Sequence, residues 1–151
     1  MKKIINILLL LFIVQLSYSQ EEKVTQVFFI RHAEKVKDGS DDPALTKLGA
    51  LRANNWADVF KNIDFDAVYS TPTLRTTSTA LPSAVQSEVE ISIYDAKEVD
   101  INQLVLKHKG ESILIVGHSN STPRLVNTLL GEDKYQEIVH YNNSNLYIVS
   151  L

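Results

Sequence analysis

The sequence has no cysteine, few glycines and prolines, and no excess of positive charge. Its 151 residues include no cysteine, five glycines and four prolines. Without cysteine there are no disulfides and no thiolate metal sites, so packing alone must hold the fold together. The 15 lysines and arginines are outnumbered by 18 aspartates and glutamates, which argues against a nucleic-acid surface. Neither an internal repeat nor a low-complexity stretch is present, and the length predicts a single domain.

A long apolar run occurs only at the start of the chain. Two lysines precede an apolar stretch from Ile4 to Val14, and small serines follow it. This order is typical of a secretory signal peptide, here residues 1–19, cleaved before Gln20. The run is too short for a stable membrane anchor, which needs about 20 apolar residues. We therefore expect one domain at 20–151 that is exported to the periplasm or the extracellular space. Its formal charge would be −5, because cleavage of residues 1–19 removes two lysines and no acidic residue.

The remaining residues alternate between strand-like and helix-like segments. Five short apolar runs predict strands at 24–30, 67–70, 90–94, 112–116 and 146–151. Four segments between them predict helices: 46–63 with Thr46 as cap, a helix from Thr71-Pro72 that Pro82 ends or kinks, 100–109 closed by Gly110, and 123–130 closed by Gly131. An apolar face of the first helix should cover the sheet: Leu48, Leu51, Trp56, Val59, Phe60 and Ile63. Parallel strands need crossover connections, so the alternation predicts an α/β fold, a three-layer α/β/α sandwich with a mainly parallel central sheet.

Two of the predicted strands run directly into histidine. The first ends in Arg31 and His32, and the fourth ends in Gly117-His118-Ser119. Ligands bind at the carboxyl ends of parallel strands, so both imidazoles should line one pocket. Arg75 follows the second strand, and arginine forks match phosphate geometry. The pattern indicates phosphate chemistry, in which nearby cations lower the pKa of His32 and leave its attacking nitrogen free. Backbone amides at the helix start after His118 also favour an anion.

The motif Arg31-His32-Ala33-Glu34 resembles the signature of the histidine phosphatase superfamily, the phosphoglycerate mutase-like group, branch 1. Further matches follow in order: Leu45-Thr46 with Gly49, Ser70-Thr71-Pro72 with Arg75 and Thr79-Ala80, and Gly117-His118-Ser119-Asn120. The resemblance implies a phosphoglycerate mutase-like fold and a phosphoric monoester hydrolase that needs neither metal nor cofactor. His32 would be the nucleophile that becomes phosphohistidine, and Arg31, Arg75 and His118 would bind the phosphoryl group, with Ser119 as a further substrate contact. The substrate would be a phosphorylated small molecule or a phosphoprotein.

The general acid has several candidates. In the family it often follows the third strand, where Asp95 is the first choice and Glu98 the second. Glu34 is a third candidate because it neighbours the nucleophile, although it can equally pair with Lys35 or Lys37. If no acid is competent, the alternative is a non-catalytic module that binds phosphate or a phosphoprotein on the same fold.

Simpler roles account for several other polar residues. His108 and His140 are expected to be ordinary surface or core histidines, and the acidic stretch 38–42 is expected to be a solvated turn. Thr46 should act mainly as a helix cap and Gly49 as a close-packing position, while Arg52 can be a solvated helix residue. A serine hydrolase would use Ser119, Asp133 and His140, but Ser121 replaces the last glycine of its motif. No histidines have the H-E-x-x-H spacing of a zinc site.

Overall fold

A five-stranded sheet forms the centre of the protein. The computed structural model describes residues 23–151, so the predicted signal peptide at 1–19 lies outside the described residues. The strands are β1 (Gln26–Arg31), β2 (Ala67–Ser70), β3 (Ile91–Ile93), β4 (Ser112–Gly117) and β5 (Leu146–Ser150). Their order in the sheet is β3-β2-β4-β1-β5, and β5 alone of these runs antiparallel to its neighbour. The mainly parallel sheet is confirmed, and each predicted strand lies within two residues of the observed one.

Helices cover both faces of this sheet. They are α1 (Lys47–Val59), α2 (Leu74–Gln86), α3 (Ile101–Leu106) and α4 (Ser121–Leu130). Successive side chains of a strand point to opposite faces. Phe28 and Ile30 of β1 therefore join the core against α1 and α2, whereas Val27 and Phe29 join the core against α3 and α4. The three-layer α/β/α sandwich is confirmed. Within residues 23–151, no helix is both long enough and apolar enough to cross a membrane.

The buried face of α1 differs from the predicted one. Three predicted core residues are more than half exposed: Leu48, Leu51 and Val59. Trp56 and Phe60 are buried as predicted, but small residues, Gly49 and Ala53, complete the buried face. A Cβ on Gly49 would collide with the backbone carbonyl of Glu34, so the helix approaches the chain too closely for larger side chains there. The close-packing role of Gly49 is confirmed, as is the cap on α1, where the Gly49 N–H donates to Thr46 Oγ1 at 3.0 Å.

The second helix starts two residues later than predicted, and Pro82 does not end it. Helix α2 begins at Leu74 rather than Pro72, because its first free amide is capped from outside by the carboxylate of Asp42 and not by Thr71. The helix then continues through Pro82 to Gln86. Proline removes one backbone hydrogen bond, but the buried residues on either side of it pack against the sheet and keep the helix intact.

The last two helices lie close to their predicted positions. Helix α3 is shorter than expected, since a turn from 107 to 110 follows it, and Gly110 has φ +79°. Helix α4 starts two residues before the predicted position, with Asn120 as cap. It ends at Gly131, whose φ of +68° is the left-handed cap that the sequence predicts.

Candidate active site

The register of the sheet places the two strand-end histidines side by side. Arg31 of β1 and Gly117 of β4 are partners in neighbouring parallel strands, so the next residues, His32 and His118, emerge together at the carboxyl edge. The His32 N–H donates to the Gly117 carbonyl at 2.9 Å, and the two ring centroids are 5.5 Å apart. The structure therefore brings both imidazoles to one edge.

His32 is buried and held with one ring nitrogen free. Its Nδ1 lies 2.8 Å from the carbonyl oxygen of Ala33, which can only accept, so Nδ1 carries the proton of the neutral ring. Nε2 then keeps its lone pair. The pKa of His32 is lowered to about 4, mainly by burial, with the charges of Arg31, His118 and Arg75 acting in the same direction. Desolvation is thus the main cause of the low pKa, with the cations that the sequence suggests adding to it.

His118 is fixed by contacts to both of its neighbouring strand ends. Its Nε2 lies 2.9 Å from Oγ1 of Thr71, which follows β2. Burial lowers the pKa of His118 to about 4, with Arg75 and Arg31 acting in the same direction. Thr71 is therefore a contact of the site rather than the helix cap that the sequence predicts.

The backbone amides after β4 are largely engaged by the protein itself. The N–H of His118 donates to Ser121 Oγ, that of Ser121 to Asn120 Oδ1, and that of Thr122 to the His118 carbonyl. The expected anion cradle of amides at the start of α4 is correspondingly reduced. Side chains must supply most of the donors for an anion here.

Arg31 is held by the chain segment that precedes β5. Its Nη1 donates to the carbonyl oxygens of Val139, His140 and Asn142 at 3.1, 3.1 and 2.9 Å. The residue is only 5% exposed, and burial lowers the pKa of its guanidinium, although arginine keeps its proton in proteins. Its Nε is buried and has no hydrogen-bond partner among the described residues. The edge formed by Nε and Nη2 is thus the one left for a ligand.

Arg75, in the first turn of α2, also has one paired nitrogen and an unpaired Nε. Its Nη1 lies 3.4 Å from Oδ1 of Asp42, and its Nε is buried without a hydrogen-bond partner among the described residues. The charge of Arg75 reaches both imidazoles, since it contributes to the low pKa of His32 and of His118. Two guanidinium edges and two imidazoles therefore converge, an arrangement suited to a tetrahedral dianion.

The three acid candidates have different surroundings. Asp95 lines a cavity of about 320 Å³ together with His118 and Arg124, but its Oδ1 accepts a 2.7 Å hydrogen bond from the Lys97 N–H. Arg124 donates to the carbonyl of Ala96 and so ties the Asp95 turn to α4. Asp95 therefore shares a cavity with His118, whereas Glu34 lines the neighbouring cavity of about 350 Å³ with His32.

The other two candidates fit an acid role less well. Glu34 pairs with Arg52, whose Nε lies 2.9 and 2.8 Å from the two carboxylate oxygens, and this contact lowers the pKa of Glu34. The alternative pairing of Glu34 with Lys35 or Lys37 is wrong, and so is a purely solvated Arg52. Glu98 is an exposed residue of the turn that follows Asp95.

The remaining polar candidates are distributed around and away from the site. Ser119 Oγ donates to Glu137 at 2.9 Å, so its partner is not the His140 of a serine-hydrolase triad. His140 is exposed and lines a cavity of about 350 Å³ beside His32. His108 is partly buried rather than at the surface, with its ring nitrogens 2.6 Å from Glu111 and 2.8 Å from the hydroxyl of Tyr69. Within residues 23–151, no three histidine, aspartate or glutamate side chains form a group that could hold a metal ion.

Some contacts of the site were not identified from the sequence. Besides Thr71 and Asp42, these are Glu137, the carbonyls of 139–142, and Asn143, whose Nδ2 donates to the His32 carbonyl at 2.9 Å. Asn143 is 7% exposed. The available signal was the polar run at 142–145, directly before an apolar strand, which is too common in loops to indicate a site by itself.

Comparison with known proteins agrees with this architecture. Residues 27–100 match the profile of the histidine phosphatase superfamily (branch 1). Similar solved structures include a phosphoserine phosphatase from Entamoeba histolytica with 3-phosphoglyceric acid, 21% identical, covering 82% of this chain and 89% of that chain at TM-score 0.61. A phosphoglycerate mutase from Bacillus anthracis str. Sterne is 14% identical and covers 87% of this chain and 89% of that chain at TM-score 0.69.

A third similar structure is the protein histidine phosphatase SixA complexed with tungstate, 22% identical, covering 68% of this chain and 74% of that chain at TM-score 0.58. No curated protein matches the chain. At these identities the solved structures show a shared fold, whereas the sequence profile spans β1 to β3, including Arg31, His32 and Arg75. The profile match over residues 27–100 assigns the chain to the histidine phosphatase superfamily, branch 1, and the solved structures show that it shares their fold.

Proposed function

We propose that the protein is a metal-independent phosphatase that hydrolyses phosphomonoesters, or phosphohistidine, through a phosphohistidine intermediate at His32. The observation that carries the proposal is the pair of buried guanidinium Nε atoms, on Arg31 and Arg75, that lack a hydrogen-bond partner among residues 23–151 and lie beside a neutral imidazole. An unpaired buried donor is costly, and a phosphoryl group would satisfy both. The low pKa of His32 keeps its Nε2 available for attack at neutral pH.

The geometry supports an in-line displacement. Nε2 of His32 attacks phosphorus, a P–N bond forms, and the P–O bond to the leaving group breaks on the opposite side. Arg31, Arg75 and His118 stabilise the negative charge on the phosphoryl oxygens. The leaving oxygen takes a proton from Asp95, and the same carboxylate then accepts a proton from the water that attacks phosphohistidine and releases inorganic phosphate.

The substrate is proposed to be a phosphorylated small molecule or a phosphoprotein. The similar structures carry the names of a phosphoserine phosphatase and of a protein histidine phosphatase, so both classes occur on this fold. Hydrolysis is favoured over phosphoryl transfer between two positions of one substrate, because a chain of 151 residues has little room for the insertions that would hold a bisphosphorylated molecule. A turnover screen of sugar phosphates, nucleotides, phosphoamino acids and phosphohistidine proteins would identify the class.

Trapping the intermediate tests the role of His32. Brief reaction with a ³²P-labelled phosphomonoester in the presence of a chelator should give an acid-labile, base-stable protein adduct. The adduct should disappear in His32→Ala and persist in His108→Ala, the matched control for loss of an imidazole that bonds to Tyr69 and Glu111 outside the site. Label that survives in His32→Ala would show that another residue is the nucleophile, and loss of turnover with the chelator would contradict metal independence.

The position of Asp95 favours one second candidate function. Its carboxylate is exposed and bonded to the Lys97 N–H, so the site could bind phosphate without an efficient acid. Aryl and alkyl phosphates separate the two functions, because a good leaving group needs little protonation. For an enzyme that uses Asp95, Asp95→Asn should lower kcat for the alkyl ester by about 100-fold and for the aryl ester far less. Failure of the unmodified protein on both esters, with phosphate still bound, would favour the non-catalytic module.

A further inference from the structure

The loop before α1 contributes a carboxylate that the proposed reaction does not use. Asp42 accepts two hydrogen bonds from the Leu74 N–H, at 2.9 Å to Oδ1 and 3.0 Å to Oδ2, and its Oδ1 lies 3.4 Å from Nη1 of Arg75. The acidic stretch 38–42 is expected from sequence to be a solvated turn. The Asp42 side chain is instead docked on the start of α2, and half of its surface remains exposed.

The two contacts of Asp42 have different consequences. The hydrogen bonds to the Leu74 N–H anchor the carboxylate to the helix backbone, so it cannot simply follow a moving arginine. The contact with Nη1 of Arg75 then restrains the guanidinium from its outer edge. The opposite edge, which includes the buried and unpaired Nε, is thereby the one presented to a ligand.

We propose that Asp42 is a positioning residue for phosphoryl binding: anchored on α2, it holds Nη1 of Arg75 so that the Nε edge of that arginine faces the anion. This role rests on the proposed phosphatase function, because it gives Arg75 a phosphoryl ligand. Asp42 touches neither the nucleophile nor the phosphoryl group, and it acts through Arg75.

If only its negative charge mattered, Asp42 would weaken anion binding rather than support it. A carboxylate close to an anion site repels the anion, so its neutralisation should tighten binding if long-range electrostatics dominate. Asp41 measures that effect, since it is exposed on the same loop, has the same charge, and makes no hydrogen bond or ion pair with any residue of 23–151. The comparison of Asp42→Asn with Asp41→Asn therefore separates orientation from charge.

The test compares Asp42→Asn, Asp42→Glu and Asp41→Asn. Asparagine retains an oxygen for the Leu74 N–H, so the cap on α2 survives while the ion pair with Arg75 is lost. We expect KM for an aryl phosphate and the Kd for inorganic phosphate or tungstate to rise about threefold to fivefold in Asp42→Asn relative to Asp41→Asn, the scale of a half-exposed ion pair. The value of kcat should change less, and Asp42→Glu should recover part of the affinity.

The outcomes separate this inference from the proposed function. Turnover by the unmodified protein tests the function, whereas the ratio between the two asparagine variants tests Asp42, and the Kd measurement needs no turnover. Equal KM and Kd values in Asp42→Asn and Asp41→Asn would overturn the role of Asp42 even if the enzyme is active. An unmodified protein that binds neither phosphate nor tungstate would overturn both.

Discussion

Acidification should destabilise the ligand-free protein, because two histidines that the fold keeps neutral are protonated more readily in the unfolded chain. The pKa values of His32 and His118 are lowered from 6.5 to about 4. Between these two values an unfolded chain binds protons at both imidazoles while the folded chain does not. The unfolded state is therefore favoured as the pH falls through this window, and the free energy of unfolding decreases. Above about pH 6.5 both states are neutral at these residues, and this contribution vanishes.

The size of the effect follows from the two pKa values. One pKa unit corresponds to about 1.4 kcal/mol. For one imidazole with a pKa of 6.5 in the unfolded chain and about 4 in the folded chain, the free energy of unfolding falls by about 2 kcal/mol between about pH 7 and about pH 5. The two histidines together would lower the free energy of unfolding by about 4 kcal/mol. This is a large share of the roughly 5 to 15 kcal/mol by which a typical domain is stable. The contact with Arg52 that lowers the pKa of Glu34 stabilises the fold above about pH 4.5, and this contribution is lost as the pH falls below that value.

Urea unfolding of the protein at a series of pH values measures this slope directly. His32→Asn and His118→Asn should each remove about half of the decrease between about pH 7 and about pH 5. His140→Asn is the matched control, because its exposed ring loses little hydration on folding. A double variant of His32 and His118 that retains the full decrease would refute the assignment of the effect to these two buried imidazoles.

Three further predictions concern other parts of the chain. Gly49→Ala should lower the free energy of unfolding by about 1 to 3 kcal/mol in urea titrations, because the new Cβ collides with the Glu34 carbonyl. Glu34→Gln should change kcat by no more than about threefold and lower the free energy of unfolding by at most about 1 kcal/mol, since it breaks a partly exposed ion pair with Arg52. A far larger loss of kcat would make Glu34 a candidate for the general acid again. Because the sequence predicts a signal peptide, mass spectrometry of the protein purified from its natural host should find a chain that begins at Gln20, and an intact leader would contradict that prediction.

The strands could be predicted because their signals are local. A buried parallel strand appears as a short apolar run, and each of the five runs became a strand. The helix faces were less predictable, because they depend on how closely each helix approaches the sheet. In α1, Leu48 and Leu51 fit an apolar periodicity, yet the contact of Gly49 with the backbone of Glu34 fixes a rotation that leaves both leucines exposed.

In the site, too, residues with a local sequence signal could be predicted and long-range contacts could not. His32, His118 and Arg31 follow strands or end them, so the rule that ligands bind at the carboxyl edge was sufficient to group them. Contacts made across long sequence separations were not accessible in this way. The pairing of Asp42 with Arg75 spans 33 residues, and that of Asn143 with His32 spans 111, with no motif that joins the partners. Such contacts follow from the tertiary path of loops, which a single sequence does not specify.

The direction of β5 accounts for much of what the sequence left undetermined. Leu146 pairs with Ile30 and Ser150 with Gln26, so the chain enters β5 at the carboxyl edge of the sheet. The residues just before β5 must therefore lie beside the strand-end histidines, where their carbonyls reach Arg31. A parallel β5 would be entered from the opposite edge and would carry this segment away from the site. The antiparallel edge strand thus positions the carbonyls that hold Nη1 of Arg31 and leave its Nε edge for the phosphoryl group that we propose it binds.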